Sequence, residues 1–348
     1  MSLVSEISSD KEAYDELAMC GGAPLWHHLK SMFSHEPHST AVPFCWSYEK
    51  LRPLASYFAE HLPIEDAQRR VLMLVNPQLQ DPPATLGSLF AGFQVLLPGE
   101  QAPAHRHTAN AFRFITEGHG AYTTVDGERV PMNTGDFLLT AGWQWHDHYH
   151  AGDQPMVWLD GLDFPLVNML EVGFYEQYPD GVQKPLVPEG LSTKQFIHGR
   201  LNPLWSEPSR VNSPIGNYPW TETNRALEAI ADHAEGSEYD GTVLEYSNPW
   251  TGGSVLPTMS CRIQRLKPGF SGRPRRQTPG IIAHVIRGEG TTIVGDTTLN
   301  WKKNDVIAIP GWQKYRHIND SKTNDAVFFT FSNEPAIRSL GFYREQLD

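Results

Sequence analysis

Cysteine is scarce in this chain, with only three among 348 residues, and the three stand far apart. An odd, widely spaced set does not fit a disulfide framework and indicates a reducing compartment. Long apolar runs are absent too: no window approaches the ~18 apolar residues of a membrane span, and the opening residues contain no signal-peptide core. We therefore expect a cytoplasmic protein that is neither secreted nor inserted into a membrane.

Basic residues are also few, since 28 Lys and Arg against 40 Asp and Glu give a formal net charge of −12. An acidic chain without a basic block is not expected to bind nucleic acid or an anionic membrane surface as its main partner. Hydrophobic residues at 40% and charged residues at 20% are typical of an ordinary globular protein. The length predicts about two domains.

Glycine and proline, with 29 and 27 residues, divide the sequence into short segments rich in Val, Ile, Phe, Tyr and Thr, which are typical of β-strands. Helical patterns are few. They comprise a capping box at 9–12, apolar spacing from Tyr48 to about His61, and a segment at about 222–234 with Thr221 as its N-cap. The sequence therefore predicts an all-β protein with short N-terminal and inter-barrel helices.

Two β-rich blocks, at about 85–165 and 255–334, resemble each other. The correspondence rests on two motifs: GHG at 118–120 with GEG at 288–290, and GWQ at 142–144 with GWQ at 311–313. A repeat of about 80 residues made of short strands predicts two copies of one barrel or jelly-roll unit. The predicted domains are an N-terminal segment (1–84), a first barrel (85–165), a connection with one helix (166–254) and a second barrel (255–348).

Six of the 15 histidines lie between residues 105 and 150. His105 and His107 are two residues apart, so they point to the same side of a strand. His146 follows after a glycine turn and a short apolar strand, which can return beside the first strand in a small barrel. Three converging imidazoles would form a metal site with open coordination positions. A His-x-His pair alone is more often a surface feature, but the third histidine and the surrounding glycines favour the metal site.

Several polar residues interrupt apolar strands of the first block. Arg113 is in phase with the histidine pair if the strand is unbroken, and an inward arginine is costly without an anionic partner. That partner is either a substrate carboxylate or an internal acid. Asp160 is either this acid or an acceptor for a substrate hydroxyl. His148, in phase with His146, is predicted to donate a hydrogen bond or relay a proton, and Gln94 also requires a polar partner.

The second block lacks the histidine constellation. Its three corresponding positions hold Arg275, Gln277 and Tyr315. We therefore expect no metal site in the second barrel. In the first block, the remaining clustered histidines, His119 and His150, are expected at turns or at the barrel rim, without a role.

The segments PAHRHTANAFRF, GWQWHDH and VWLDGLDFPLVN resemble gentisate 1,2-dioxygenase and its relatives, which open the rings of gentisate, salicylates or 1-hydroxy-2-naphthoate. The spacing of Gly99 to the histidine pair and of Gly135 to His146 is also similar to the two cupin motifs. Two departures stand out: the usual proline is Ala141, and the usual glutamate ligand is missing, with Ala111 and Phe112 at its place.

This resemblance implies a bicupin of two double-stranded β-helix (jelly-roll) barrels that assembles as a homotetramer. It implies Fe(II) held by three histidines and substrate contacts from five further residues. The implied iron ligands are His105, His107 and His146, and the implied substrate contacts are Arg113, His148, Asp160, Gln94 and Arg69.

The activity implied by the resemblance is ring cleavage between the carboxyl- and hydroxyl-bearing carbons of gentisate or a related salicylate, with both atoms of O2 entering the product. The alternatives are salicylate, 5-nitrosalicylate, 5-aminosalicylate and 1-hydroxy-2-naphthoate, because the sequence does not select the ring substituent. A different class, a cupin that binds a small aromatic acid without oxidising it, is favoured only by the loss of the histidines from the second block.

Overall fold

The computed structural model describes residues 9–196, 211–231 and 233–348. The chain divides into two compact units, Met1–His38 and Ser39–Asp348. The first unit contains helices α1 (Asp10–Met19) and α2 (Leu25–Met32). The predicted capping box begins α1, because the Ser9 hydroxyl accepts a hydrogen bond from the backbone N–H of Glu12 at 3.3 Å. No helix within the described ranges is both long and apolar enough to cross a membrane.

Among the described residues, the second unit contains the remaining helices and all the strands. Its helices are α3 (Tyr48–His61), α4 (Ile64–Ala67), α5 (Phe164–Met169), α6 (Leu191–Phe196), α7 (Trp220–Ala231) and α8 (Glu334–Ser339). The strands of its first half are β1 (Phe44–Trp46), β2 (Val71–Met73), β3 (Phe90–Leu96), β4 (Gln101–His107), β5 (Ala111–Glu117), β6 (His119–Val125), β7 (Glu128–Asn133), β8 (Phe137–Thr140), β9 (His146–His150), β10 (Met156–Leu162) and β11 (Tyr175–Gln177). The strands of its second half are β12 (Asn217–Tyr218), β13 (Thr242–Glu245), β14 (Ser260–Leu266), β15 (Arg275–Gln277), β16 (Ile281–Arg287), β17 (Glu289–Val294), β18 (Thr297–Lys302), β19 (Val306–Ile309), β20 (Tyr315–Ile318), β21 (Ala326–Ser332) and β22 (Glu345–Leu347).

The strands form two barrels, each of one six-stranded and one five-stranded antiparallel sheet. The first barrel combines the orders β12-β8-β5-β10-β3-β2 and β11-β4-β9-β6-β7. The second combines β1-β19-β16-β21-β14-β13 and β18-β17-β20-β15-β22. Each interior is an apolar cluster with members from both of its sheets. This is the double jelly-roll arrangement, so the predicted all-β bicupin fold is confirmed.

The internal repeat is visible strand by strand. β3, β5 and β10 recur as β14, β16 and β21 with every boundary moved by 170 residues. The correspondence continues past both predicted blocks, because α5 recurs as α8 and β11 recurs as β22 at the same offset. Each repeat therefore consists of a barrel followed by one helical turn and an outer edge strand.

Short strands from the N-terminal and connecting segments complete the two large sheets. In the second barrel, β1 pairs with β19 and β13 pairs with β14. In the first barrel, β2 pairs with β3 and β12 pairs with β8. The predicted domain boundaries stay predictions, but neither large sheet is built from one continuous stretch of chain.

The central core lies between the two six-stranded sheets, which pack face to face. Phe114 stacks on Phe329 with ring centroids 4.6 Å apart, and Phe112 meets Phe331 edge-on at 4.8 Å. Both faces of these sheets are therefore buried, one against the barrel interior and one against the other barrel. This double burial explains why their strands read as continuous apolar runs instead of alternating patterns.

One helix differs from its prediction at the N-terminus. The helix expected at about 222–234 begins at Trp220, so Thr221 lies inside it and is not its N-cap. The backbone N–H of Trp220 donates to Oδ1 of Asp136 at 2.9 Å. The capping acceptor therefore comes from the first barrel, 84 residues earlier in the chain. The predicted helix from Tyr48 to His61 is confirmed.

Candidate metal centre

The three histidines of the predicted metal site converge in the first barrel. His105 and His146 are directly opposite each other in the β4–β9 ladder, with ring centroids 4.4 Å apart. The rings of His107 and His146 are 5.0 Å apart. The candidate ligand atoms of all three side chains lie within 4.8 Å of one another, which is close enough for a single ion to contact all three.

Backbone carbonyls orient two of the imidazoles. Nδ1 of His107 lies 2.8 Å from the carbonyl of Ala109, and Nδ1 of His146 lies 3.0 Å from that of Gln144. Because a carbonyl only accepts, Nδ1 carries the hydrogen in both rings and the lone pair is on Nε2.

Burial also keeps these rings uncharged. It lowers the pKa of His107 to about 4 and those of His105 and His146 further below the ordinary value. All three rings are therefore neutral near pH 7, and the donor set fits a divalent first-row metal.

The chain turns between the histidine pair and Arg113. β4 ends at His107 and β5 begins at Ala111, so the expectation of one unbroken strand is wrong. The turn is held by Asp163, whose carboxylate accepts from the backbone N–H of Asn110 at 2.7 Å and from its side-chain amide at 2.9 Å. The two segments lie in opposite sheets of the barrel, and Arg113 points inward from β5.

Arg113 and Asp160 form a loose buried pair. They are opposite each other in the β5–β10 ladder, and Nε of Arg113 is 3.6 Å from Oδ1 of Asp160. Asp160 accepts a hydrogen bond from the Trp158 indole at 3.0 Å, and Nη1 of Arg113 donates to Thr140 at 2.5 Å. Burial raises the pKa of Asp160 to about 6, although Arg113 opposes the shift. Of the two partners considered for Arg113, the internal acid is present, but Nε forms no hydrogen bond to it.

His148 and Gln94 also present polar atoms to the barrel interior. Nδ1 of His148 lies 2.7 Å from the Thr123 hydroxyl, whereas its Nε2 is buried without a hydrogen-bond partner. Nε2 of Gln94 is likewise buried and unpartnered. Together with Nε of Arg113, these are three polar atoms at the barrel interior without a hydrogen-bond partner. Buried polar atoms usually have such a partner, so this group of three indicates a polar ligand.

Arg69 reaches the same region from the segment between α4 and β2. Its Nη2 donates to the carbonyl of Pro103, on β4, at 2.8 Å. Its side chain is partly exposed. Partial loss of solvent lowers its pKa to about 10, and the neighbouring charge of Arg113 acts in the same direction. Because Asp160 opposes this shift, Arg69 lies within electrostatic range of the loose pair.

An outer edge strand that no sequence motif indicated contributes to the site. β11 pairs with β4, so that Tyr175 stands opposite His107, and its ring lies 5.2 Å from that of His105. The Arg106 guanidinium lies over the rings of Trp143 and Trp145 at 4.3 and 4.4 Å and donates to Glu176 on β11. Extending the repeat beyond residue 165 could have revealed this strand.

The two remaining clustered histidines differ in position. His119 is exposed, as expected for a turn residue. His150 is fully buried at the end of β9, and its Nε2 is bonded to the carbonyl of Gln154. The expectation of a rim position is therefore wrong for His150, because the ring fixes the loop that follows its own strand.

In the second barrel, the residues at the positions that correspond to the three histidines contact one another and a nearby acid. Arg275 donates to Asp240 at 2.5 Å and to Oε1 of Gln277 at 2.7 Å. The guanidinium carbon of Arg275 also lies 5.8 Å from the ring centroid of Tyr315. Throughout the described ranges, the histidine cluster of the first barrel is the one group of three or more potential ligand side chains.

Comparisons with known proteins agree with this architecture. The cupin-domain family model matches residues 92–162. Gentisate 1,2-dioxygenase 1 from Aquipseudomonas alcaligenes is 38% identical over 335 residues, covering 96% of this chain and 95% of the relative. The 1-hydroxy-2-naphthoate 1,2-dioxygenase from Nocardioides sp. is 40% identical over 314 residues, covering 89% and 80%. The crystal structure of salicylate 1,2-dioxygenase from Pseudaminobacter salicylatoxidans superposes with a TM-score of 0.91 at 34% identity, covering 98% of each chain.

The fold and the histidine cluster define a bicupin with a candidate metal centre in its first barrel. Within that class, the chain belongs to the family of gentisate and salicylate ring-cleaving 1,2-dioxygenases. The family predicted from the sequence motifs is therefore confirmed.

Proposed function

We propose that this protein uses Fe(II) and O2 to cleave the ring of gentisate, or of a related salicylate, between the carboxyl- and hydroxyl-bearing carbons. Named relatives include gentisate, 5-aminosalicylate and 1-hydroxy-2-naphthoate 1,2-dioxygenases. The observation that carries the proposal is one barrel in which three neutral imidazoles face a buried arginine with an unsatisfied Nε.

The metal would be held by His105, His107 and His146. When bound, Fe(II) supplies the redox and Lewis-acid chemistry that lets O2 react with an electron-rich ring. Three neutral ligands leave the charge of a divalent ion uncancelled, and no carboxylate belongs to the cluster within the described ranges. The barrel therefore attracts an anion, although the whole chain carries a net charge of −12.

Five residues would bind and orient the substrate. Nε of Arg113 would donate to the carboxylate, and Arg69 would add positive charge at the same end of the cavity. Asp160 and Nε2 of His148 would accept hydrogen bonds from ring hydroxyls, and the amide of Gln94 would donate to a ring oxygen. These roles match the unsatisfied atoms of Arg113, His148 and Gln94.

O2 uptake tests the reaction and its specificity together. The Fe(II)-loaded protein would be given gentisate, salicylate, 5-aminosalicylate, 5-nitrosalicylate and 1-hydroxy-2-naphthoate, with 3-hydroxybenzoate as a control that lacks the ortho hydroxyl. We expect uptake with at least one ortho-hydroxy acid, none with the control, and both atoms of labelled O2 in the product. Absence of uptake with every acid would overturn the proposal, and tight binding without uptake would indicate a binding protein instead.

Iron retention tests the ligand assignment. His105→Ala should abolish retention of iron through gel filtration, because two imidazoles do not hold a divalent ion firmly. Arg275→Ala changes the corresponding position of the second barrel and should retain iron like the parent protein. Metal analysis of both variants decides the matter, and equal iron loss would mean that the wrong barrel has been assigned.

We also propose a homotetramer in the cytoplasm. Large apolar side chains are exposed in both units, including Trp26 and Phe33 in the first and Phe174 and Leu186 in the second. Exposed apolar surface of this extent is typical of subunit interfaces. Sedimentation should give a mass four times the 39.1 kDa of one chain, and a monomeric mass would contradict the assembly.

A further inference from the structure

The hydroxyl of Thr123 on β6 lies 2.7 Å from Nδ1 of His148, and Nε2 of the same ring is buried without a hydrogen-bond partner. We propose that Thr123 is a positioning residue: it accepts a hydrogen bond from Nδ1–H of His148 and so leaves Nε2 as an acceptor for a substrate hydroxyl. The contribution of this acceptor to catalysis rests on the proposed function. The assignment of the ring hydrogen to Nδ1 of His148 does not.

The direction of the hydrogen bond follows from counting hydrogens. The Thr123 oxygen lies 2.7 Å from Nδ1 of His148 and 3.5 Å from the sulfur of Met132, and all three residues are buried. The hydroxyl has a single hydrogen, and a thioether sulfur only accepts. Donation to Met132 allows the oxygen to accept from Nδ1–H, which gives two hydrogen bonds. Donation to His148 gives one, because the sulfur then has no donor.

The second barrel contains the same pair with the opposite polarity. The oxygen of Thr292 lies 2.8 Å from Nδ1 of His317, but here the indole N–H of Trp301 donates to that oxygen at 2.9 Å. Trp301 occupies the place that Met132 holds in the first barrel, so a donor replaces an acceptor. If Nδ1–H of His317 also donated to this oxygen, the Thr292 hydrogen would have no acceptor among the contacts of the described residues, so the hydroxyl donates to Nδ1 of His317. One substitution between the repeats therefore selects opposite tautomers.

In this tautomer, His148 adds a hydrogen-bond acceptor to a cavity wall that also presents unpartnered donors. The other two unpartnered atoms described above at the barrel interior, Nε of Arg113 and Nε2 of Gln94, are both donors. A carboxylate satisfies donors, but a ring hydroxyl also needs an acceptor in the wall. An unprotonated Nε2 on His148 provides that acceptor, and it hydrogen-bonds the hydroxyl without any change of protonation.

Matched variants of the two barrels distinguish a loss of activity through misplaced hydrogen on His148 from a loss of activity through impaired folding. Thr123→Val removes the hydroxyl at nearly constant volume, and we expect kcat/KM to fall at least tenfold. Thr123→Ser should restore it to within threefold. Met132→Leu keeps the hydroxyl but removes its acceptor, so kcat/KM should fall in the same direction. Thr292→Val removes the equivalent hydrogen bond from the second barrel and should stay within twofold of the parent protein.

The tautomer itself is read by nitrogen NMR of histidine-labelled protein loaded with Zn(II). We expect hydrogen on Nδ1 of His148 and on Nε2 of His317, with signals assigned through His148→Gln and His317→Gln. In Met132→Leu the hydrogen of His148 should move to Nε2. Hydrogen on Nε2 of His148 in the parent protein, or equal activity losses in Thr123→Val and Thr292→Val, would overturn the inference. If the parent protein consumes no O2, the proposed function fails, and the NMR result still decides the tautomer.

Discussion

At the scale of single residues, Arg113 shows how a buried charge can be left available for a ligand. Arg113 is 3% exposed, yet the separation of 3.6 Å between its Nε and Oδ1 of Asp160 is longer than a hydrogen bond. The Thr140 hydroxyl accepts a hydrogen bond from Nη1, one of the two terminal nitrogens of Arg113. The neighbours therefore hold the side chain in place without using its Nε.

Arg113→Ala should weaken binding of the aromatic acid by about 2 kcal/mol or more, because the carboxylate loses a buried charge-assisted partner. Anaerobic titration calorimetry with the metal-loaded protein measures this loss. Arg275→Ala in the second barrel is the control and should leave the affinity unchanged. An unaltered affinity in Arg113→Ala would mean that the arginine serves only its pair with Asp160.

His284 makes stability depend on pH. Its ring is buried beside Phe114 at 5.5 Å, and burial lowers its pKa to about 3. The unfolded chain takes up a proton near pH 6.5 and the folded state does not, so stability is full above pH 6.5 and falls as the pH decreases toward 3. We expect the parent protein to lose about 1.4 kcal/mol more per pH unit than His284→Gln across this window. Urea unfolding at several pH values measures the difference, and parallel slopes would contradict it.

The sequence predicted these residues better than it predicted their arrangement. The alternation of β9 correctly placed His148 beside His146 in the interior, because a strand has a period of two residues. The same argument applied across the turn at 108–110 assumed a strand that does not exist. Tyr175 could not be found from spacing, because its proximity to His105 arises from an edge strand that returns after α5.

At the scale of elements, two aspartates at corresponding positions of the two barrels each cap the N-terminus of a helix that lies far away in the sequence. Asp136 accepts from the backbone N–H of Trp220 at the start of α7, and Asp305 accepts from that of Tyr48 at the start of α3. Each aspartate follows a tight turn before the corresponding strand, β8 or β19. The sequence could not show this, because the partners are 84 and 257 residues apart.

Asp305→Ala should destabilise the protein by about 1–2 kcal/mol, because the first N–H of α3 loses its acceptor. The backbone N–H of Lys302, which also donates to this carboxylate at 3.0 Å, loses its partner as well. Urea unfolding checks the stability. Ring-cleavage activity should be retained because Asp305 lies in the second barrel, and an unchanged unfolding free energy would show that water replaces the cap.

In both repeats, an arginine that stacks on a tryptophan also donates a hydrogen bond to the outer edge strand. Arg106 lies over Trp143 and donates to Glu176 on β11, and Arg276 lies over Trp312 at 4.6 Å and donates to Gln346 on β22 at 2.8 Å. Since the second barrel keeps this contact without the histidines, the stacked arginine belongs to the fold and not to the chemistry.

At the scale of the whole molecule, the second barrel stabilises the first through their shared core. Phe329 touches three phenylalanines of the first barrel, with centroids 5.3 Å from Phe112, 4.6 Å from Phe114 and 5.2 Å from Phe137. The outer face of β5, the strand that carries Arg113, therefore packs against the second barrel. A barrel that lost its metal ligands can remain essential as the support of the other.

Phe329→Ala should cost about 3–5 kcal/mol, because it opens a cavity between two rigid sheets. The two barrels should still unfold in one calorimetric transition, at a lower temperature, since most of the apolar cluster spans both. Two separate transitions in the parent protein would contradict a shared core.

The pairing of β1 with β19 constrains the order of folding during synthesis, because β1 cannot pair until β19 has been made. Cys45 pairs with Ile307, whereas the last strand needed by the first barrel's large sheet is β12, at Asn217–Tyr218. At ribosomal speeds of about 5–20 residues per second, on the order of ten seconds separate the emergence of these two segments. During that interval the first barrel has all its strands, but its outer phenylalanine face is still bare. The nascent chain therefore depends on the second barrel arriving promptly to cover that face.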